Sequence, residues 1–134
     1  MRINAEDFEK ARALIPGFFR FNYEEPFSQA LLALNEDMLF IYDDHAPDLV
    51  VEDTITYMVK ARIPLSSIEM VVDETILKQP ELAGLDRLCI LLNDQTDGLY
   101  FYYFNEDTKT HKNFIAGLKH YKVTVQSRKI KLTA

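Results

Sequence analysis

Four side chains able to bind a metal or move a proton stand close together in one stretch: Asp43, Asp44, His45 and Asp48. Carboxylates and an imidazole at that density would suit a hydrolytic centre in which a metal polarises water. The spacing follows neither the Asp-x-Asp-x-Asp-Gly calcium loop nor a zinc pattern, so a solvated acidic loop around Pro47 is the plainer expectation. His111 and His120 lie on a helical stretch at positions about 180° apart in phase, so they cannot face one ligand together. They are expected as surface or packing residues. The single cysteine, Cys89, sits within Leu88-Cys89-Ile90-Leu91-Leu92. Such flanks predict a buried, inert thiol, not a nucleophile served by either histidine, and one cysteine forms no intramolecular disulfide. The four glycines are scattered, so no phosphate-cradling loop is built. These residues give no catalytic, metal or cofactor site. A small metal-dependent hydrolase using Asp43, Asp44 and His45 is kept as a third reading.

The elements that would position these groups follow from periodicity. At 134 residues the chain has the length of one domain with its own core, and 48% hydrophobic against 27% charged residues excludes a disordered chain. Asn4 to Ile15 reads as a first helix, capped by Asn4 with Asp7 three positions on, burying Phe8, Ala11, Leu14 and Ile15 and stopped by Pro16-Gly17. The period then changes to that of strands: Phe18 to Tyr23, Gln29 to Leu34 and Met38 to Tyr42, with Asn35-Glu36-Asp37 as a hairpin turn. Asp43 to Asp53 reads as a polar loop, followed by strands over Thr54 to Arg62 and Ser67 to Val72 about Pro64, and an irregular connection over Leu77 to Asp86. A last hairpin pairs Arg87 to Leu92 with Leu99 to Phe104, using Asp97-Gly98 in the turn. One amphipathic helix, Asp107 to Tyr121, closes the series with Phe114, Ile115, Leu118 and Tyr121 on one face. Gly117 within it implies close approach to the sheet.

Charge is unevenly divided. From Thr108 onward there are seven basic residues and no Asp or Glu, so the net charge of −6 splits into −13 for residues 1–107 and +7 for the remainder. Lys109, Lys112, Lys119, Arg128, Lys129 and Lys131 are therefore candidate anion-contacting residues. Lysines late in a helix also complement its dipole, which is the structural alternative. Residues 123–134 read as a basic tail. No segment approaches the ~18–20 apolar residues of a membrane span, and the charge-dense opening is unlike a secretory leader, so a soluble, cytoplasmic protein is expected.

One segment carries a family resemblance. Ile63-Pro64-Leu65-Ser66-Ser67-Ile68-Glu69 resembles the "IPxSxI" stretch of bacterial pleckstrin-homology-like (PH-like) domains, matched by Ile63, Pro64, Ser66 and Ile68. In those domains this stretch leads into the strand after the first sheet. The Leu31 to Tyr42 hairpin resembles theirs as well, and the likeness covers about Phe18 to Lys122. The first helix is an addition to the minimal fold, and the Pro47 loop has no counterpart. The resemblance implies an α+β fold: a bent antiparallel β-sandwich or partial barrel capped by the C-terminal helix, as a single domain over 1–134 with helix 1–17, core 18–122 and tail 123–134. PH-like domains serve as lipid, peptide and protein scaffolds. Members that bind phosphoinositides use a basic cluster near the first hairpin. Here that region offers Arg20 beside Glu24 and Glu25, which would repel phosphate.

The last hairpin is apolar on both faces: alternation puts Leu99, Phe101 and Tyr103 on one side and Tyr100, Tyr102 and Phe104 on the other. Something must cover the second side, either the first helix or another protein. Tyr100, Tyr102 and Phe104 form the candidate interaction surface. The leading expectation is a non-catalytic protein–protein interaction or self-assembly module, with a homodimer or a protein partner, no cofactor and no nucleic acid. Peripheral binding to an anionic membrane through the basic helix and tail is the alternative.

Overall fold

The computed structural model describes residues 2–3, 12–19, 26–43, 49–51, 54–77, 84–95 and 98–131. The chain order is β1 (Arg2–Ile3), β2 (Ala13–Phe19), β3 (Ser28–Leu34), β4 (Met38–Asp43), β5 (Leu49–Val51), β6 (Thr54–Pro64), a 3-10 turn (Leu65–Ser67), β7 (Ile68–Ile76), β8 (Leu85–Leu92), β9 (Leu99–Phe104), α1 (Thr108–His120) and β10 (Val125–Ile130). The fold is α+β and mostly sheet. Eight strands run in the spatial order β6-β4-β3-β2-β9-β8-β7-β10, and the short strands β1 and β5 pair with β6.

Two meanders make this sheet: β2, β3, β4 and β6, then β7, β8 and β9, joined where β2 pairs antiparallel with β9. Six inter-strand steps separate β6 from β7 in this order, which in a flat sheet is roughly 29 Å. The chain bridges them with only Leu65–Ser67, a reach of roughly 14 Å from Pro64 to Ile68. The open sheet must therefore curl so that β6 and β7 approach each other at this corner. The turn is fixed to its surroundings: Leu65 N–H donates to the Asp37 carbonyl (3.0 Å), Asn93 N–H to Ser67 O (2.9 Å) and Asn93 Nδ2 to Ser66 O (2.9 Å). The Ile-Pro segment singled out in the sequence is this corner, and Ile68 opens the strand that follows it.

The concave face holds one core, drawn from Ile15, Phe19, Leu32, Leu34, Ile41, Ile63, Val71, Leu88, Ile90, Phe101 and other buried side chains, into which α1 inserts Phe114 and Leu118. Asp107 caps α1 by accepting from the Thr110 N–H at 3.1 Å, and Tyr121 is its C-cap, so the predicted helix bounds hold. Gly117 faces β2 and β3: a methyl group there would sit 2.9 Å from Leu34 Cδ2. Lys122 then takes φ 65°. Its N–H bonds Lys119 O and the Val123 N–H bonds Leu118 O at 3.0 Å, closing the helix in a Schellman motif with lysine where glycine is usual.

The first helix is corrected in part. Ala13, Leu14 and Ile15 belong to β2, and Pro16-Gly17 lies inside that strand rather than ending a helix; residues 4–11 of the predicted helix lie outside the described residues. Leu14 packs on the convex face and Ile15 in the core, the alternation of a strand. Pro16 pairs with β3 alone, and β9 joins β2 only from Gly17 onward, so the missing N–H falls where the strand has one neighbour. At Gly17 an added Cβ would lie 2.8 Å from Phe101 Cε1 and closer still to the Tyr102 carbonyl. Only glycine lets the two meanders meet there. Within the expected polar loop, Leu49–Val51 forms β5, and residues 125–130 of the expected basic tail form β10, parallel to β7.

Candidate interaction surface

The convex face of the second meander carries one continuous cross-strand row. Register aligns Arg128 with Glu74, Glu74 with Arg87, Arg87 with Tyr102, and Tyr102 with Phe18. Glu74 is fully buried, yet both its oxygens are satisfied: Oε1 accepts from Arg87 Nε at 2.7 Å, and Oε2 from Arg128 Nε at 2.6 Å. Burying a carboxylate is costly unless such partners replace its water. Arg87 reaches further, donating from Nη1 to the Tyr102 hydroxyl at 3.3 Å and standing 4.2 Å over the Tyr100 ring. Burial works against the Arg87 charge, but the hydrogen bonds to Tyr102 and Glu74 outweigh it and hold its pKa above the ordinary value.

This row answers what covers the stripe of Tyr100, Tyr102 and Phe104. Tyr100 is half-buried beneath Arg87, and Tyr102 is 8% exposed with Phe27 edge-on at 5.1 Å. Phe104 is 50% exposed and touches Phe18 edge-on at 5.4 Å. Phe27 itself is 41% exposed. The stripe is thus a mostly filled layer that leaves an aromatic rim of Phe104, Phe18 and Phe27 at the surface.

The remaining predicted residues are dispersed. Lys109, Lys112 and Lys119 are exposed on α1, and Lys129 and Lys131 are exposed on and just after β10, while Arg128 is bound to Glu74. Asp44, His45 and Asp48 lie outside the described residues, and Asp43 ends β4. Among the described residues no group of three or more His, Cys, Asp or Glu could hold a metal. Cys89 is buried on the convex side, and burial pushes its thiol pKa up, which disfavours the thiolate a nucleophile needs. His120 packs edge-on against Tyr121.

His111 has a defined position. On the concave side its Nε2 lies 3.0 Å from Asp73 Oδ2 and 3.1 Å from the Tyr103 hydroxyl, which donates to Asp73 Oδ1 at 2.9 Å. The imidazole also stacks on Tyr103 at 4.7 Å. Burial, then the Asp73 charge, pushes the Tyr103 phenol well above its ordinary range, so it stays a hydrogen-bond donor. The cluster pins the first turns of α1 to β7 and β9. Sequence reasoning missed both polar clusters. The available signal was charge inside strands that otherwise bury apolar side chains: Asp73 and Glu74 in β7, and Asp86 and Arg87 in β8. Compared with known proteins, the chain matches no family model and no curated sequence.

Proposed function

We propose that this chain is a non-catalytic, cytoplasmic protein–protein interaction module of PH-like fold that self-associates through the aromatic rim around Phe104. The observation that carries this reading is the exposure of Phe104 and Phe27, 50% and 41%, each packed edge-on against one of two aromatics, Phe18 and Tyr102, that stand opposite each other across β2 and β9. A contiguous apolar surface of this kind marks an interface more often than a lone exposed side chain does. Two antiparallel meanders, an Ile-Pro corner between them and one helix following the second support the PH-like reading. No helix among the described residues is long and apolar enough to cross a membrane.

The test is a photo-crosslinker, benzoylphenylalanine, placed at position 104 and, as a control, at exposed Lys112. Illumination of the purified chain yields covalent dimer from position 104 and little from 112 if the rim is the contact. Equal yields from the two positions would reject it.

A further inference from the structure

The terminal strand β10 offers a second surface. In the sheet order it is the last member, and among the described residues it pairs with β7 alone. Its pairing shows which backbone groups are committed: Val71 N–H donates to Thr124 O at 2.8 Å and Leu77 N–H to Ile130 O at 2.9 Å. Since successive residues of a strand point their amide groups to opposite sides, the even positions face β7. Val125, Ser127 and Lys129 turn N–H and C=O outward. Gln126, Ser127, Arg128 and Lys129 are exposed, and among the described residues no second strand pairs with this edge.

We propose that the outer edge of β10 docks an extended acidic segment of a partner protein, which adds to the sheet as a further strand. The inference rests on the reading of the chain as an interaction module and names a second partner class for it. Backbone pairing supplies affinity in such an addition, and side chains supply selection. The selection here is electrostatic. Arg128 is already held by Glu74, so Lys129 and Lys131 set the charge of the edge, and no Asp or Glu occurs after residue 107. Edge lysines oppose indiscriminate pairing. A second copy of β10 would bring like charges face to face, which is destabilising across strands. An incoming strand bearing carboxylates turns the same lysines into attractive partners.

The test titrates the full chain into a labelled, end-capped eight-residue peptide of alternating Glu and Val, followed by fluorescence anisotropy. A Lys and Val peptide of equal length is the control. Saturable binding of the acidic peptide alone is expected. Lys129→Glu combined with Lys131→Glu weakens it by about tenfold or more. Ser127→Pro, which removes one outward N–H and no bond to β7, does likewise while the melting temperature holds. Absent binding, equal binding of both peptides, or undiminished binding to a folded Ser127→Pro would overturn the proposal. So would binding of anionic phosphatidylserine vesicles that Lys129→Glu with Lys131→Glu abolishes, in the absence of peptide binding, since that outcome assigns the lysines to a membrane. Crosslinking at 104 reads the aromatic rim independently: peptide failure with that crosslink intact removes the edge alone.

Discussion

Glu74 and Arg128 stand 54 residues apart in the sequence, yet Arg128 Nε lies 2.6 Å from a Glu74 oxygen that is sealed from solvent. This contact ties the last strand to the sheet. It also carries a ranking of substitutions. Glu74→Ala removes the carboxylate that bridges the Arg87 and Arg128 guanidiniums and is expected to cost on the order of 3–5 kcal/mol, as breaking a buried pair does. Arg87→Ala is expected to be comparable, because its side chain is 12% exposed and it also holds Tyr100 and Tyr102. Arg128→Ala costs less, roughly 1–2 kcal/mol, since its side chain is 56% exposed and solvent screens it. Urea unfolding of the three variants checks the order. A greater loss from Arg128→Ala than from Arg87→Ala would contradict it.

The close of α1 supplies a stabilising substitution. Lys122 holds a left-handed backbone at φ 65°, a conformation that a side chain disfavours by about 1–2 kcal/mol. Lys122→Gly is expected to raise stability by about 1 kcal/mol after the added freedom of glycine in the unfolded chain is counted. Leu118→Ala, a few residues before it and fully buried, is expected to lose about 2–5 kcal/mol. Thermal melts of both variants read the two signs directly.

Asp107 gives the helix a pH dependence. The Thr110 hydroxyl donates to Oδ2 at 2.6 Å and the Thr110 N–H to Oδ1 at 3.1 Å, and these bonds lower the carboxyl pKa from its ordinary value. A carboxylate whose pKa is depressed on folding contributes stability that is present above its unfolded pKa, about 4, and is lost as pH falls through the lower folded value. The melting-temperature advantage of the wild type over Asp107→Asn should therefore shrink as the solution is taken from about pH 6 to pH 2. An advantage that grows over that range would contradict the capping role.

Local signals made part of this fold legible. The helix was readable because its cap, its apolar spacing and its end all fall within 15 residues, Asp107 to Tyr121. The β3–β4 and β8–β9 hairpins were readable because alternation and a nearby turn specify partners adjacent in sequence. Ala13 to Ile15 misled because Leu14 and Ile15 also fit a helical stripe; the seven-residue register with β3 decides the matter, and the local sequence does not contain it. β10 carries only Val125 and Ile130 as apolar residues, so its strand character comes from distant β7 and the buried Glu74. At the surface, the aromatic alternation of Tyr100, Tyr102 and Phe104 could be read directly. That Phe27 and Phe18 would line it could not, because they arrive from before β3 and from β2, which are distant in sequence.

The most direct test of the central claim is the solution mass of the wild type and of Phe104→Asp, by light scattering coupled to size exclusion at low and high salt. Because the rim is aromatic rather than charged, the wild type is expected as a dimer or larger assembly at both salts, and Phe104→Asp as a 15.6 kDa monomer. A wild type that is monomeric at both salts, with Phe104→Asp indistinguishable from it, would contradict self-association through this surface.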